Sequence, residues 1–270
     1  MKRQANFIKK GIILPALLFI VGFSSCQKLD LQTSNPDRVV VKGYLFAGHS
    51  VSINIIKQLI YGSTDSTTHP VENIDVTISD SHEAIFPLVY QGKGVYASEK
   101  LIVAAGETYT LTFTYNGKEI SATTTVPSKP QNFYGTNLIK VLPIGSESGP
   151  PSHSKAEYSW SNPNNGYFLL VVENTEAKPT PINDTTKYEA FPAFRQSPTQ
   201  GSTISLMGRS FYYYGNHNVI LYAINKEYVD LYEDTGNTSQ NITNPPGNIK
   251  NGFGVFTAIN SDTLKLEVTN

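Results

Sequence analysis

The sequence predicts an all-β protein: two β-sandwich domains, immunoglobulin-like or prealbumin-like, the second with one short helix. Three observations carry this. Apolar and polar residues alternate with a period of two in run after run, as strands with one buried face require. Charged residues make up only 16% of the chain while Gly, Pro and Tyr are plentiful, and aromatic and β-branched side chains suit a pleated surface. Pro127-Ser128-Lys129-Pro130 then divides the alternating region, because its two prolines favour extended backbone and lack donors.

Ahead of the strands lies a segment of another kind. Lys2, Arg3, Lys9 and Lys10 precede an almost wholly apolar run from Gly11 to Phe23, which stops at Ser24-Ser25-Cys26. A basic start, a short apolar run and small residues at the cut make a secretory signal. The run is shorter than the ~20 residues that span a bilayer, and Pro15 interrupts it. Its end resembles the lipobox of bacterial lipoproteins, which implies cleavage after residue 25 and lipidation of Cys26. The chain has one cysteine, so an intramolecular disulfide is excluded. Several acyl chains would anchor firmly, at ~0.8 kcal/mol per buried CH₂. Residues 26–37 are polar, end in Asn35-Pro36-Asp37 and read as a tether.

The first domain is expected over 38–127. Strands are predicted at Arg38–Leu45, Val51–Ile55, Ile74–Ile78, Phe86–Tyr90, Gly94–Ser98, Tyr109–Tyr115 and Ile120–Val126. Asn116-Gly117 is a two-residue hairpin turn of the kind that needs positive φ. Gly92-Lys93-Gly94 is another hairpin turn, too short for a phosphate loop. Tyr109, after Ala105-Gly106-Glu107-Thr108, has the position of a tyrosine corner, its hydroxyl tied to upstream backbone.

The second domain is expected over 131–270. Ala156–Trp160 and Tyr167–Glu173 are strands around a turn-rich loop, with Trp160 in the core. Residues 175–200 form a long loop with an edge strand near Phe191–Arg195. Phe211-Tyr212-Tyr213-Tyr214 reads as a strand with alternating faces. Asn218–Ile224 is a strand, and Asn225 caps a helix near 226–234. Tyr228, Leu231 and Tyr232 share one face of that helix at i, i+3 and i+4. Residues 235–248 are a polar loop. Gly252–Ile259 and Thr263–Val268 close the chain as two strands joined by a turn at Asn260-Ser261.

Charge and motifs bound the chemistry. With the first 25 residues removed, 21 basic and 22 acidic residues become 17 and 22, a formal charge of −5. A partner such as nucleic acid wants a basic patch instead, and none is expected. His49, His69, His82, His153 and His217 form no HxH or HExxH pair, so neither a metal nor another cofactor is expected. No Ser or Thr sits in a nucleophile elbow. Glu157, Glu173, Glu189, Asp230 and Glu233 offer carboxylates without a pairing that marks a glycosidase. The densest aromatic run supplies the binding candidates: Tyr212 and Tyr214, on one face of their strand, would contact a partner or glycan through large rigid rings with a hydrogen-bond handle.

Val39-Val40-Val41-Lys42-Gly43-Tyr44, Gly94-Val95-Tyr96, Gly106-Glu107-Thr108-Tyr109-Thr110-Leu111, Trp160-Ser161-Asn162-Pro163 and Asn251-Gly252-Phe253-Gly254-Val255-Phe256 follow the lipobox in that order. Together they resemble the Bacteroidota lipoproteins of domain-of-unknown-function family 4249. The resemblance implies an outer-membrane lipoprotein, held by its N-terminal lipid, beside a TonB-dependent (SusC-like) transporter. It assigns no catalytic residue. Asp65-Ser66-Thr67, Asp184-Thr185-Thr186 and Asp262-Thr263-Leu264 are similar to the O-glycosylation acceptor of that phylum's exported proteins, which makes Ser66, Thr185 and Thr263 candidate acceptors. The expected function is a non-enzymatic binding or docking accessory to the transporter in nutrient capture. The alternative is a structural envelope or adhesion lipoprotein with no transported cargo.

Overall fold

A computed structural model describes residues 38–59, 67–145, 154–233 and 246–270. The first half is built from β1 (Val39–Phe46), β2 (Ser50–Lys57), β3 (Val76–Ser79), β4 (Ile85–Gly92), β5 (Val95–Ile102), β6 (Thr108–Tyr115) and β7 (Lys118–Thr125). Period-two burial is visible along β1, β2 and β6, whose Val39, Val41, Val51, Ile53, Tyr109 and Leu111 enter one core. Asn116 and Gly117 carry φ of 48° and 73°, the mirror-image turn that matches strand twist. The expected tyrosine corner is present: Tyr109 is buried, and its hydroxyl accepts the Ala104 N–H at 3.0 Å. β4 changes partners midway. Ile85 to Leu88 pair with β3, and Val89 to Gly92 pair with β5, so this strand folds the sheet over on itself.

The second half comprises β8 (Gln131–Gly135), β9 (Leu138–Lys140), β10 (Lys155–Ser161), β11 (Tyr167–Asn174), β12 (Ala193–Arg195), β13 (Thr203–Met207), a 3₁₀ turn at Gly208–Ser210, β14 (Gly215–Ile224), α1 (Lys226–Glu233) and β15 (Phe253–Thr269). β13, β10 and β8 form a three-stranded sheet. It packs Ala156, Tyr158, Trp160 and Leu206 against Phe168, Leu170, Val172, Val219 and Leu221 of β11 and β14. β12 pairs only with β11 in the sheet, the edge position expected of it.

One long sheet joins the halves, in the order β12-β11-β14-β15-β1-β2-β5-β4-β3-β6-β7, with β9 beside β15. Here the structure departs from the expected 131–270 domain. The first half of β15, Phe253 to Ile259, pairs in parallel with β1, and its second half, Ile259 to Val268, pairs antiparallel with β14. Ile249, Phe256 and Ala258 therefore belong to the first core. The expected closing hairpin is one 17-residue strand. Asn260 and Ser261 carry turn-forming side chains, but Ala223 and Tyr222 stand opposite them in the ladder, and continuous pairing on this side overrides the local preference. Gly254 makes the approach to β1 feasible: φ is +99°, and a Cβ there would lie 2.0 Å from the Val41 carbonyl oxygen. Asn248 completes the join, its carboxamide accepting the Phe256 N–H at 2.9 Å and donating to the Phe256 carbonyl at 2.7 Å.

Both cores lie on one face of β15, fed by Phe256, Ala258, Leu266 and Val268. The opposite face is covered differently. Leu169, Ile224 and Ile259 meet Val229 of α1 in a small third cluster, bordered by Tyr44, Tyr167, Val171, Tyr222 and Tyr228. α1 is also fastened to the first half. Thr124 Oγ1 donates to the Glu227 carboxylate at 2.9 Å, and Asn225 Nδ2 donates to Thr124 Oγ1 and the Thr125 carbonyl at 3.0 and 2.8 Å.

Candidate functional site

Of the side chains singled out in the sequence, Cys26, Ser66 and His153 lie outside the described residues. Phe211 to Tyr214 do not form the expected strand; only Tyr213 makes an isolated bridge, to Pro181. Around that bridge the Ile182 N–H donates to the Tyr212 carbonyl and the Tyr214 N–H to the Thr180 carbonyl, both at 2.9 Å. Tyr212 meets Phe191 edge-on, ring centres 5.5 Å apart. Tyr214 packs on the second core and donates its hydroxyl to the Val141 carbonyl at 3.1 Å; burial raises its pKa. Its bonding is structural, and Tyr212 is half-buried against Phe191. Thr185 is exposed in a turn beside Asp184, whose carboxylate accepts from Thr186 Oγ1 and N. Thr263 is exposed on β15 opposite Ile220.

Among the described residues, no group of three His, Cys, Asp or Glu side chains could hold a metal, and no helix is long and apolar enough to cross a membrane. His217 is buried, 3% exposed. Its Nδ1 faces the Gly215 carbonyl at 3.0 Å and its Nε2 the Asn174 amide nitrogen at 3.2 Å. Asn174 is oriented by its other bonds: its oxygen accepts the Glu176 N–H, and its nitrogen donates to the Tyr214 carbonyl. The pair of partners selects neutral imidazole with its proton on Nδ1, a structural role.

Two clefts remain. One, of about 390 Å³, lies where the two cores meet, between Pro127–Gln131, Ser161–Asn164 and Ala223–Asn225. Two of its amides are already engaged: Asn162 bonds Gly166 N, Gly166 O and Gln200 O, and Asn225 bonds Thr124 and Thr125. The other, of about 350 Å³, is lined by Tyr44, Arg195, Tyr228, Leu231 and Tyr232. It is assembled from three places. β1 presents Tyr44 opposite Thr257, β12 presents Arg195 opposite Val171, and α1 contributes the face that the i, i+3, i+4 spacing picked out. That face borders a groove, while Val229 takes the core contact. Tyr44 and Tyr228 meet edge-on, ring centres 6.3 Å apart. The Arg195 guanidinium lies 4.8 Å over the Tyr232 ring, a favourable cation–π arrangement. Burial, then the neighbouring Tyr228, pushes the Tyr44 phenol above its ordinary pKa. At neutral pH the groove thus offers uncharged aromatic faces, phenolic O–H donors and one guanidinium. We take it as the candidate site, because a concave surface with a few convergent polar groups is what a small ligand needs.

No curated protein matches the chain. Among solved structures, a two-domain fibronectin type III segment from chicken tenascin is similar at 11% identity, covering 86% of this chain and 99% of its own, with a TM-score of 0.25. Domains A168–A170 of titin are similar at 11% identity, over 70% and 61%, TM-score 0.21. A tetra-tandem repeat in the extending region of a large adhesion protein is similar at 13% identity, over 84% and 50%, TM-score 0.19. A family model extends over almost all the sequence beyond the apolar start, matching residues 27–265. The chain belongs to the family described as domain of unknown function DUF4249.

Proposed function

We infer that this chain is a non-enzymatic outer-membrane lipoprotein of the Bacteroidota, anchored through Cys26, that serves a TonB-dependent transporter as a binding or docking accessory in nutrient capture. The lipobox-like end of the apolar run and the polar residues after it support the anchor and the tether. The observation that carries the binding role is the groove of Tyr44, Arg195, Tyr228, Leu231 and Tyr232. Its donors and rings suit holding a ligand, and its scaffold of paired strands keeps them in place.

The test is extraction of the native protein in mild detergent, followed by capture and identification of what comes with it. A TonB-dependent transporter is expected in the eluate, and a Cys26→Ser chain is expected to leave the membrane fraction. A wild-type eluate without any transporter sinks the accessory role, and an unchanged membrane fraction for Cys26→Ser sinks the anchor.

A further inference from the structure

The groove beside α1 has a chemistry more specific than general binding. Its five lining residues include one cation, Arg195, and no carboxylate. Arg195 is exposed on the edge strand β12. Its guanidinium carbon lies 4.8 Å over the Tyr232 ring, and the group makes no ion pair or hydrogen bond with the described residues. A cation–π contact pairs none of the N–H groups with an acceptor, so its donors are available in the fork that fits two carboxylate oxygens. Lys and His cannot present that fork. Tyr44, Tyr228 and Tyr232 add ring faces with hydroxyls, and Leu231, 39% exposed, adds one aliphatic wall. The volume of about 350 Å³ falls in the ~300–1,000 Å³ range of small-molecule sites.

We propose that this groove binds a carboxylate carried on a ring, with Arg195 holding the carboxylate in a bidentate pair and the ring lying against the tyrosines. This deepens the capture role inferred above and rests on it. The same chemistry has two sources, a sugar acid and an aromatic acid. In both, the acid is recognised by the guanidinium edge and the ring by the phenols. The uncharged analogue loses the charge-assisted pair.

Calorimetric titration of the full chain in detergent tests this with three probes: digalacturonate, benzoate and neutral digalactose. At least one acid is expected to bind, and the neutral disaccharide to bind at least tenfold more weakly, since a hydrogen bond to a charged group contributes ~1.5–3 kcal/mol. Binding of digalacturonate identifies a sugar acid; binding of benzoate alone identifies an aromatic one. Arg195→Gln is expected to weaken the bound acid by roughly tenfold or more, and Arg195→Lys to recover only part of it. Lys140→Gln, which removes an exposed cation on β9 away from the groove's lining, is expected to leave binding unchanged. Arg195 is exposed, so the thermal transition of both Arg195 variants should match wild type, which separates lost binding from lost fold. The proposal is overturned if neither acid binds, if digalactose binds as well as the acids, or if Arg195→Gln binds like wild type. A chain that co-purifies with a transporter yet binds neither acid defeats this inference alone. One that binds an acid but brings no transporter defeats the accessory role instead.

Discussion

The two cores solve the burial problem in opposite ways. The first is a sandwich whose strands keep one polar face: Thr108 and Thr125, then Thr110 and Thr123, stand opposite each other with hydroxyls 2.8 and 3.0 Å apart. In the second, β11 buries Phe168, Leu169, Leu170 and Val172, so both of its faces are covered. The three-stranded sheet covers one face and α1 the other. The difference teaches where a site can arise. A face carpeted with short hydroxylated side chains is smooth, whereas a helix laid across a sheet leaves a groove along its flank, and the tyrosines and Arg195 line that groove.

The comparison breaks most sharply if the cores prove independent. Phe256 is fully buried in the first core, on the strand that also feeds the second. Phe256→Ala is expected to cost about 3–5 kcal/mol. The chain's one tryptophan, Trp160, sits in the second core, so its fluorescence reports that core alone while far-UV circular dichroism reports both. The two denaturation curves are expected to shift together. A Trp160 curve that stays in place while the other moves would make the cores separate folding units.

A smaller effect is expected where α1 meets the first half. Thr124→Val removes the hydroxyl that donates to Glu227 and accepts from Asn225, at about 1–2 kcal/mol. Amide exchange should quicken in residues 226–233 while β6 keeps its protection. Equal acceleration in both would mean that the contact supports the whole fold rather than the helix.

The smallest effect concerns acid. Among the buried polar side chains, Ser98, Thr124 and Thr257 do not titrate, while His217 does. Burial lowers its pKa, against the raising influence of the Gly215 carbonyl and Glu176. The unfolded chain therefore takes up the proton first. Stability linked to His217 is complete above the unfolded value of ~6.5 and is lost as pH falls through the lower folded value. Ring-proton NMR should place the His217 midpoint below the unfolded-chain value of ~6.5, and a midpoint at or above it would refute the assignment.

The first core was legible because alternation is a local signal. Most strands from Arg38 to Val126 announce their inward face in their own residues, β4 with its exposed Ile85 and Val89 excepted, and Asn116-Gly117 names its turn. Tyr228, Leu231 and Tyr232 were legible as one helix face, again within a single turn. The groove was not, because Tyr44, Arg195 and α1 come from three distant parts of the chain, brought together by pairing that no window contains. The expected turn at Asn260-Ser261 failed for the same reason, since the partners that straighten it, Tyr222 and Ala223, lie far upstream. Phe211 to Tyr214 misled in the other direction: strongly β-forming residues without a continuous neighbouring strand did not become one. β8, β9 and β13 are three to five residues long, too short for alternation to register.

The parallel pairing of β15 with β1 sets a timetable. A chain delivered from its N-terminus has the first seven strands in hand long before residues 253–259 emerge to lie beside β1. Until then β1 has β2 on one side and open hydrogen-bonding groups on the other, the kind of edge that recruits foreign strands. The first strand to be made is thus the last to be paired, and a chaperone guarding it would have to wait for residues 253–259.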